Sequence, residues 1–349
     1  MAAPPALAGA MREQAGWCER QGSPFYHFLL LRIAEDVESS GICWKILEPR
    51  AADPDRMKLP LRFLAAVHRL VIEDKLPSLA RHFPSTGGTG DAAAAWPALL
   101  AALEQHGPEI LARLPDTVQT NEVKRCCALL PGFLKVARRT QLPLRLLELG
   151  SSAGLNLRWD HYCYEARGSS WGPPDSPLIF RDMFTTDPPQ FKVAASVTER
   201  RGCDLNPINP LSKEGHLTLQ SFLWPDQLDR FERLGHAIEV ARRVPVMVDR
   251  ADAVTWLAAQ LSRPHPGVAT VVFHSIVLLY LTQHARTRVT ETLQCAGEQA
   301  TREAPLAWLS MEPDGEGQDN VHLTMWPGGT REAIANAGYH GGAVVLASS

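Results

Sequence analysis

The residues with the clearest chemical meaning lie in one short segment, Leu144-Arg-Leu-Leu-Glu-Leu-Gly-Ser-Ser-Ala-Gly-Leu-Asn-Leu157. An apolar run there ends on an acid, Glu148, which is followed by two glycines, Gly150 and Gly154. This pattern predicts a buried strand, a tight turn and the start of a helix. A glycine turn lets a ligand approach the backbone closely, and a helix N-terminus offers N–H groups. Because Glu148 would repel a phosphate, the segment favours a ligand with a cationic group or hydroxyl groups.

The same segment contains Gly150-Ser-Ser-Ala-Gly154, which also matches the G-x-S-x-G nucleophile elbow of α/β-hydrolases. Ser152 would then be the nucleophile of an acyl transfer. Its partners would follow in the expected order of acid and then histidine: Asp249 or Asp252, then His274 or His340. An elbow normally follows several strands and an oxyanion loop, whereas the residues before Leu144 have helical spacing. His340-Gly-Gly342 resembles such a loop but lies near the other end of the chain.

Composition narrows the class of protein. The 349 residues are 45% hydrophobic and 21% charged, and the net charge of -3 gives no general attraction to nucleic acid or anionic membranes. We find neither a signal peptide nor a membrane helix. Seven cysteines without a C-x-x-C pair suggest reduced thiols, and no motif has metal-ligand spacing. We therefore expect a cytoplasmic protein that acts on a small molecule, without metal, nucleic-acid or membrane partners.

The elements that must position these residues change in type at Leu144. Before it, apolar spacing predicts helices at 11–18, 24–38, 61–72, 96–114 and 122–139, the last with Thr120 or Asn121 as its N-cap. After it, strands are predicted at 144–149, 195–203, 244–248, 269–275, 305–311, 321–326 and 342–347, with helices at 226–242, 252–262, 284–301 and about 331–337. The alternation predicts an α/β fold with a mostly parallel sheet. We expect an all-helical domain at 1–120 and an α/β domain at 121–349, with an insertion at about 158–194 that forms a lid or pocket wall.

Seven strands with a strand–helix–strand ending, and an acid and glycine turn after the first, resemble the class I S-adenosylmethionine-dependent methyltransferases. The resemblance implies a Rossmann-like seven-stranded sheet whose last strand is antiparallel. It also implies that Glu148, Gly150, Ser152 and Gly154 hold the amino-acid end and ribose of S-adenosyl-L-methionine. Asp204, in Gly202-Cys-Asp-Leu-Asn-Pro207, follows the second strand, where the family binds the ribose hydroxyls. Asp204 lies farther beyond Gly154 than the roughly 20 residues that a plain unit of this kind needs. The insertion must account for the extra residues.

Further positions extend the same resemblance. Asp252-Ala253, after the third strand, is similar to the adenine-contacting turn, and Asp252 would also be an N-cap. The fourth strand ends at His274, beside the expected position of the transferred methyl group. His274 is therefore the predicted general base, with a buried structural histidine as the alternative.

Three more residues complete the predicted pocket. Tyr280 follows the fourth strand at a distance of one or two helical turns. Asn121 and Glu122 precede the sheet by one helix, and in many class I enzymes this segment folds over the cofactor. Tyr280 and Glu122 are grouped with His274 at the reacting centre. Glu312 and the pair Tyr339-His340 are weaker candidates.

Over its full length the chain resembles a family of bacterial proteins, DUF2332. The resemblance rests on residues 12–17, 119–123, 147–157, 199–204, 224–227, 273–275, 326–329 and 339–341. It implies a methyltransferase-like fold without a defined substrate. The sequence thus predicts an S-adenosylmethionine-dependent methyltransferase that transfers its methyl group in line to N, O or S of a small molecule. The alternatives are an esterase that uses Ser152 and a non-catalytic S-adenosylmethionine-binding protein.

Overall fold

The computed structural model describes residues 4–347 except 54, 116, 186, 188–190 and 314–318. The chain divides into two compact units, one formed by Met1–Thr120 with Ser212–Arg233 and the other by Asn121–Leu211 with Leu234–Ser349. All strands in the described residues belong to the second unit. No helix in the described part of the chain is long and apolar enough to span a membrane.

The α-helices are α1 Pro4–Arg20, α2 Pro24–Glu38, α3 Ile42–Leu47, α4 Leu59–Ile72, α5 Pro77–Ala80, α6 Ala92–Ala112, α7 Arg125–Thr140, α8 Lys213–Ser221, α9 Leu228–Arg243, α10 Ala253–Gln260 and α11 Gln283–Glu298. The strands are β1 Leu144–Leu149, β2 Cys163–Ala166, β3 Ser169–Trp171, β4 Ile179–Arg181, β5 Val197–Asp204, β6 Met247–Arg250, β7 Ala269–Ser275, β8 Leu306–Pro313, β9 Asp319–Trp326, β10 Thr330–Ala337 and β11 Val345–Leu346. Short 3-10 helices lie at Glu48–Arg50, Arg56–Lys58, Pro84–Thr86, Asn156–His161 and Leu278–Tyr280.

The first unit packs the apolar faces of its helices around one core, to which α2 contributes Leu29 and Ile33 and α4 contributes Phe63. Burial of such side chains is the main stabilising contribution. The segment 212–233 belongs to this unit although it lies between β5 and β6 in the chain. Within it, the Asp226 carboxylate accepts hydrogen bonds from the Ser23 hydroxyl (2.6 Å) and the Phe25 N–H (3.0 Å) at the start of α2.

The second unit is built on an eight-stranded mixed sheet with the order β11-β10-β9-β8-β7-β1-β5-β6. The five strands from β6 to β8 are parallel, and β9, β10 and β11 are antiparallel to their neighbours. When only the strands of this sheet are counted along the chain, β1 is the first, β5 the second and β7 the fourth. Because β1 lies between β5 and β7, the strand order reverses there. In open α/β sheets, ligands bind beyond the carboxyl ends of the strands at such a reversal.

Helices cover the sheet at close distance. On one face, Leu147, Leu149 and Val272 pack with Leu257 of α10 and Leu293 of α11. Helix α7 packs against β7, β8, β9 and β10. A Cβ at Gly132 of α7 would overlap the side chain of Leu309 on β8, so a larger residue there would require Leu309 to move. These contacts fix the carboxyl ends of β1 and β7 relative to each other.

The end of the sheet differs from the prediction of seven strands with a strand–helix–strand ending. Residues 330–337, predicted to contain a helix, form β10, which pairs antiparallel with β9. The connection contains Gly328 (φ +123°) and Gly329 (φ +70°), and the Gly329 N–H donates to the Met325 carbonyl (2.8 Å). This tight turn makes a hairpin with β9, and sheet pairing overrides the helix preference of the Ala and Glu residues that follow.

The segment after β1 also differs from the prediction. No α-helix begins after the glycine turn; the 3-10 helix Asn156–His161 follows, and then a small sheet of order β3-β2-β4. This sheet occupies part of the predicted insertion at 158–194. Trp159 stacks between Phe133 (ring centroids 4.4 Å apart) and Trp171 (5.1 Å). The aromatic residues of the insertion therefore have a packing role.

Candidate functional site

The glycine turn after β1 contains three residues with left-handed backbone conformations. Gly150 has φ +66°, Ser152 φ +52° and Gly154 φ +65°. Glycine adopts this conformation freely, whereas serine adopts it at a cost. A Cβ at Gly150 would lie 2.7 Å from Cγ2 of Val277, which follows β7. Gly150 thus permits the turn after β1 to contact the loop after β7 at the strand-order reversal.

The turn satisfies several of its N–H groups internally. The Ser151 N–H donates to the Cys203 carbonyl (3.0 Å) and the Gly154 N–H to the Ser151 carbonyl (2.7 Å). The Leu155 N–H donates to Oδ1 of Asn121 (3.0 Å). An anion at a glycine turn depends on unengaged N–H groups and on a following helix N-terminus. Several N–H groups of this turn are already engaged and no α-helix N-terminus follows it, so the geometry does not favour a phosphate ligand.

Asp204, at the end of β5, lies against the same turn. Its Oδ2 accepts the Ser152 N–H (2.9 Å) and its Oδ1 accepts the Asn206 N–H (2.8 Å). The Ile208 N–H in turn donates to the Ser152 carbonyl (3.0 Å). A carboxylate oxygen is a hydrogen-bond acceptor, and these bonds hold the Asp204 carboxylate against the turn. The structure brings together Asn121, Glu148, the turn and Asp204, and their role in cofactor binding stays a prediction.

Glu148 has an unusual environment for an acid. It is 2% exposed, and its Oε2 has no hydrogen-bond donor among the described residues. Burial raises the pKa of this carboxyl to about 8, while hydrogen bonds from Ser151 and Asn156 oppose the rise and the nearby Asp204 adds to it. Burial disfavours the charged form of a carboxyl group. Glu148 is therefore mostly neutral at pH 7.

The loop after β7 is held in a strained conformation by Glu312 at the end of β8. Ile276 is buried and has φ +56°, a costly value for a β-branched residue. Oε1 of Glu312 accepts the N–H groups of Val277 (3.0 Å) and Leu278 (3.2 Å). The same oxygen lies 2.6 Å from Nδ1 of His274. Carboxylates form strong hydrogen bonds, which offset this strain.

His274 has both ring nitrogens engaged. The Trp308 indole can only donate, so its bond to Nε2 (3.0 Å) makes Nε2 an acceptor and puts the proton on Nδ1, which donates to Glu312. The imidazole is fully buried. In this arrangement neither nitrogen is available to a substrate. The structure gives His274 a positioning role instead of the general-base role predicted from the sequence.

Arg125, at the start of α7, connects the loop after β7 to the segment after β10. Its guanidinium donates to the carbonyls of Ser275 (3.2 Å) and Tyr339 (3.2 Å) and lies 5.4 Å from the centroid of the Tyr339 ring. Tyr280 has an exposed fraction of 41% and interacts electrostatically with Tyr339. Burial raises the pKa of the Tyr280 phenol well above its usual range, and the phenol is hydrogen-bonded with Tyr339, so the exposed part of the residue is mainly the rest of the side chain.

The other predicted site residues have structural partners. Glu122 is buried; its Oε1 accepts the Lys124 N–H (3.2 Å), and its Oε2 lies 4.0 Å from Nδ1 of His340. Helix α7 begins after the predicted 122, at Arg125, and neither Thr120 nor Asn121 is its N-cap, since the cap position is Lys124.

The third strand ends in a capping turn. Asp252 is the N-cap of α10, where its Oδ1 accepts the N–H groups of Val254 (3.0 Å) and Thr255 (3.1 Å). Ala253 is the first residue of that helix. The N-cap interpretation of Asp252 is thus confirmed, and adenine contact stays a prediction.

The acids and histidines of the triad predicted for a hydrolase are bonded to, or lie near, other residues. Asp249 pairs with Arg201 (2.9 Å) and accepts the Trp256 indole N–H (2.6 Å). Asp252 caps α10, His274 is bonded to Glu312, and His340 lies near Glu122. The positive φ of Ser152 is compatible with an elbow, but the α-helix that follows an elbow is replaced by a 3-10 helix.

Sequence reasoning missed Trp308 and Arg158. Arg158 is buried and donates from Nε to the Val244 carbonyl (2.8 Å) and from Nη1 to the Gly154 carbonyl (2.8 Å). It therefore links the glycine turn to the residue after α9. Arg158 directly follows the apolar Leu157, and no periodic pattern in the sequence indicates that an arginine there is buried. Trp308 contacts His274 across parallel strands, and the register of such strands cannot be deduced from one sequence.

The strain at Ser152 leads to a first prediction. Ser152→Gly and Ser152→Ala both remove the hydroxyl group, but only glycine adopts φ +52° without steric cost. The free energy of unfolding of Ser152→Gly should therefore exceed that of Ser152→Ala by about 1 kcal/mol, as measured by urea denaturation. Equal values, or a more stable alanine variant, would show that the turn is not strained at this position.

A family model described as "Uncharacterized protein conserved in bacteria (DUF2332)" matches residues 8–345, and the chain belongs to this family, as its sequence indicated. No curated protein matches the chain, and no solved structure does.

Proposed function

We propose that the carboxyl ends of β1, β5 and β7 bind S-adenosyl-L-methionine and that the protein is a methyltransferase for a small-molecule acceptor. The observation that carries the proposal is the buried Glu148 carboxyl, one oxygen of which has no hydrogen-bond donor in the part of the chain that the structure describes. It lies beside a glycine turn several of whose N–H groups are engaged. This combination suits a cationic, hydroxyl-bearing ligand and disfavours the pyrophosphate of a dinucleotide.

Three side chains at this edge of the sheet would each have a defined role toward such a ligand. Glu148 would face the ammonium of the amino-acid end, and Asp204 would accept from ribose hydroxyls while it continues to hold the Ser152 N–H. Asn121 would hold the segment before α7 against the turn through Leu155. We also propose that the fold is Rossmann-like, because the parallel strands β6-β5-β1-β7-β8 follow the order 3-2-1-4-5 of that fold when counted along the chain within this sheet.

The cofactor would supply an electrophilic methyl group on a sulfonium, so the protein would contribute orientation and exclusion of water. No general base is assigned, because His274 is bonded to Glu312 and Trp308. Tyr280, which is exposed, would contact the acceptor.

Calorimetric titration with S-adenosylhomocysteine, the demethylated product, tests the proposal. Asp204→Asn keeps one acceptor for the backbone but loses the charge, and we expect it to weaken binding by about 1–3 kcal/mol. Glu291→Gln on α11 serves as the control, because that side chain is 54% exposed and lies outside the proposed site, and the affinity of this variant should be unchanged. Failure of the wild-type protein to bind would overturn the proposal, and equal affinity in a folded Asp204→Asn variant would remove Asp204 from the site.

A further inference from the structure

Glu148 is a buried acid to which no cationic side chain of the described residues is bonded. The arginine with which it interacts electrostatically, Arg158, directs its guanidinium to the carbonyls of Val244 and Gly154. Oε2 of Glu148 has no donor among the described residues. An ionised carboxylate in such a place would carry a large desolvation cost, which protonation removes.

The other titratable groups around Glu148 do not supply positive charge. Asp204 adds negative charge from β5. Cys126 on α7 and Tyr162 after the 3-10 helix also interact with Glu148, and burial raises the pKa of both well above the usual range, so both stay neutral. The surroundings therefore favour the neutral carboxylic acid in the free protein.

We propose that ligand binding at this site is coupled to loss of the Glu148 proton. A ligand ammonium placed at Oε2 supplies the positive charge that the protein itself does not supply. The carboxyl then ionises, its proton passes to solvent and the ion pair forms inside the site. The inference rests on the proposed function, because it takes the amino-acid end of the cofactor as the cationic group.

Proton release has a defined pH dependence. Below the pKa of Glu148 in the free protein, which burial raises to about 8, each bound ammonium must displace close to one proton. Affinity should therefore rise up to about tenfold per pH unit between pH 6 and 7 and level off above pH 8. An α-ammonium, whose ordinary pKa is about 7.7–8.0, is mostly protonated between pH 6 and 7, where the rise in affinity is expected.

Calorimetry in two buffers tests the coupling. S-adenosylhomocysteine is titrated into the wild-type protein at pH 7 in phosphate and in Tris, which differ in ionisation enthalpy. We expect the two observed enthalpies to differ by about 0.9 times the difference between the ionisation enthalpies of the buffers, because about 0.9 proton is released for each ligand bound. Methylthioadenosine, which has the nucleoside but no ammonium, should give equal enthalpies in both buffers. Glu148→Gln should bind S-adenosylhomocysteine with equal enthalpies and without the pH dependence.

The outcomes separate the two proposals. If neither ligand binds, the proposed function fails. If S-adenosylhomocysteine binds with equal enthalpies in both buffers, the cofactor site stands and the proton coupling is overturned. Infrared spectroscopy provides a check without ligand: the carboxylic-acid C=O band of Glu148 should be present at pH 6, lost by pH 10 and absent in Glu148→Gln. Absence of that band from the wild-type protein at pH 6 would also overturn the coupling.

Discussion

Replacing Glu148 with glutamine is expected to remove a large part of the fall in the free energy of unfolding that the wild-type protein shows as pH rises. Burial raises the pKa of Glu148 from about 4.5 to about 8, so the folded state holds a proton that the unfolded state has released. This contribution to stability is fully present below the unfolded pKa and is lost as pH rises through the folded pKa. Between pH 5 and 9 the wild-type protein should lose roughly 3–5 kcal/mol more than Glu148→Gln.

Urea denaturation of both proteins at several pH values measures this difference. Glutamine keeps the size and neutrality of the protonated acid, so the variant should fold. Glu199→Gln serves as a control, because that carboxylate is on the neighbouring strand but is 41% exposed and paired with Arg145. If wild type and Glu148→Gln lose stability in parallel, Glu148 is ionised in the folded protein at neutral pH.

Replacing Glu312 with alanine is expected to lower the free energy of unfolding by about 2–4 kcal/mol. The substitution removes the acceptor of the His274 Nδ1–H and of the Val277 and Leu278 N–H groups. Each buried donor left without a partner costs about 1–3 kcal/mol, and partial access of water to the loop limits the sum. The strain at Ile276 then has no compensation, so the loop should relax.

Hydrogen exchange distinguishes this loop effect from general destabilisation. The amides of Val277 and Leu278 should lose protection in Glu312→Ala, while amides in the middle of β1 keep theirs under native conditions. Glu312→Gln retains one oxygen acceptor and should lie between the alanine variant and wild type. Unchanged protection at both loop amides would show that Glu312 does not hold the loop.

The sequence predicted local features where one chemical rule dominates. The apolar run of β1 and the limits of β7 and α2 follow from composition and periodicity, and the Asp252 N-cap follows from its position before a helix. The convergence of Glu148, the glycine turn and Asp204 follows because carboxyl ends of parallel strands share one edge.

Long-range pairing limited the prediction elsewhere. Residues 330–337 contain good helix formers, and only pairing with β9 makes them a strand. His274 is a plausible base from its position, but its bonds to Trp308 and Glu312 depend on the distance between β7 and β8. Segment 212–233 joins the first unit through contacts such as Asp226 with Ser23, which no local pattern indicates.

A crystal structure with S-adenosylhomocysteine tests the central claim most directly. The ligand is expected at the carboxyl ends of β1 and β5, with its ammonium within hydrogen-bonding distance of Glu148 and its ribose hydroxyls at Asp204. Binding at another place, or a ligand in this place that contacts neither acid, would contradict the account.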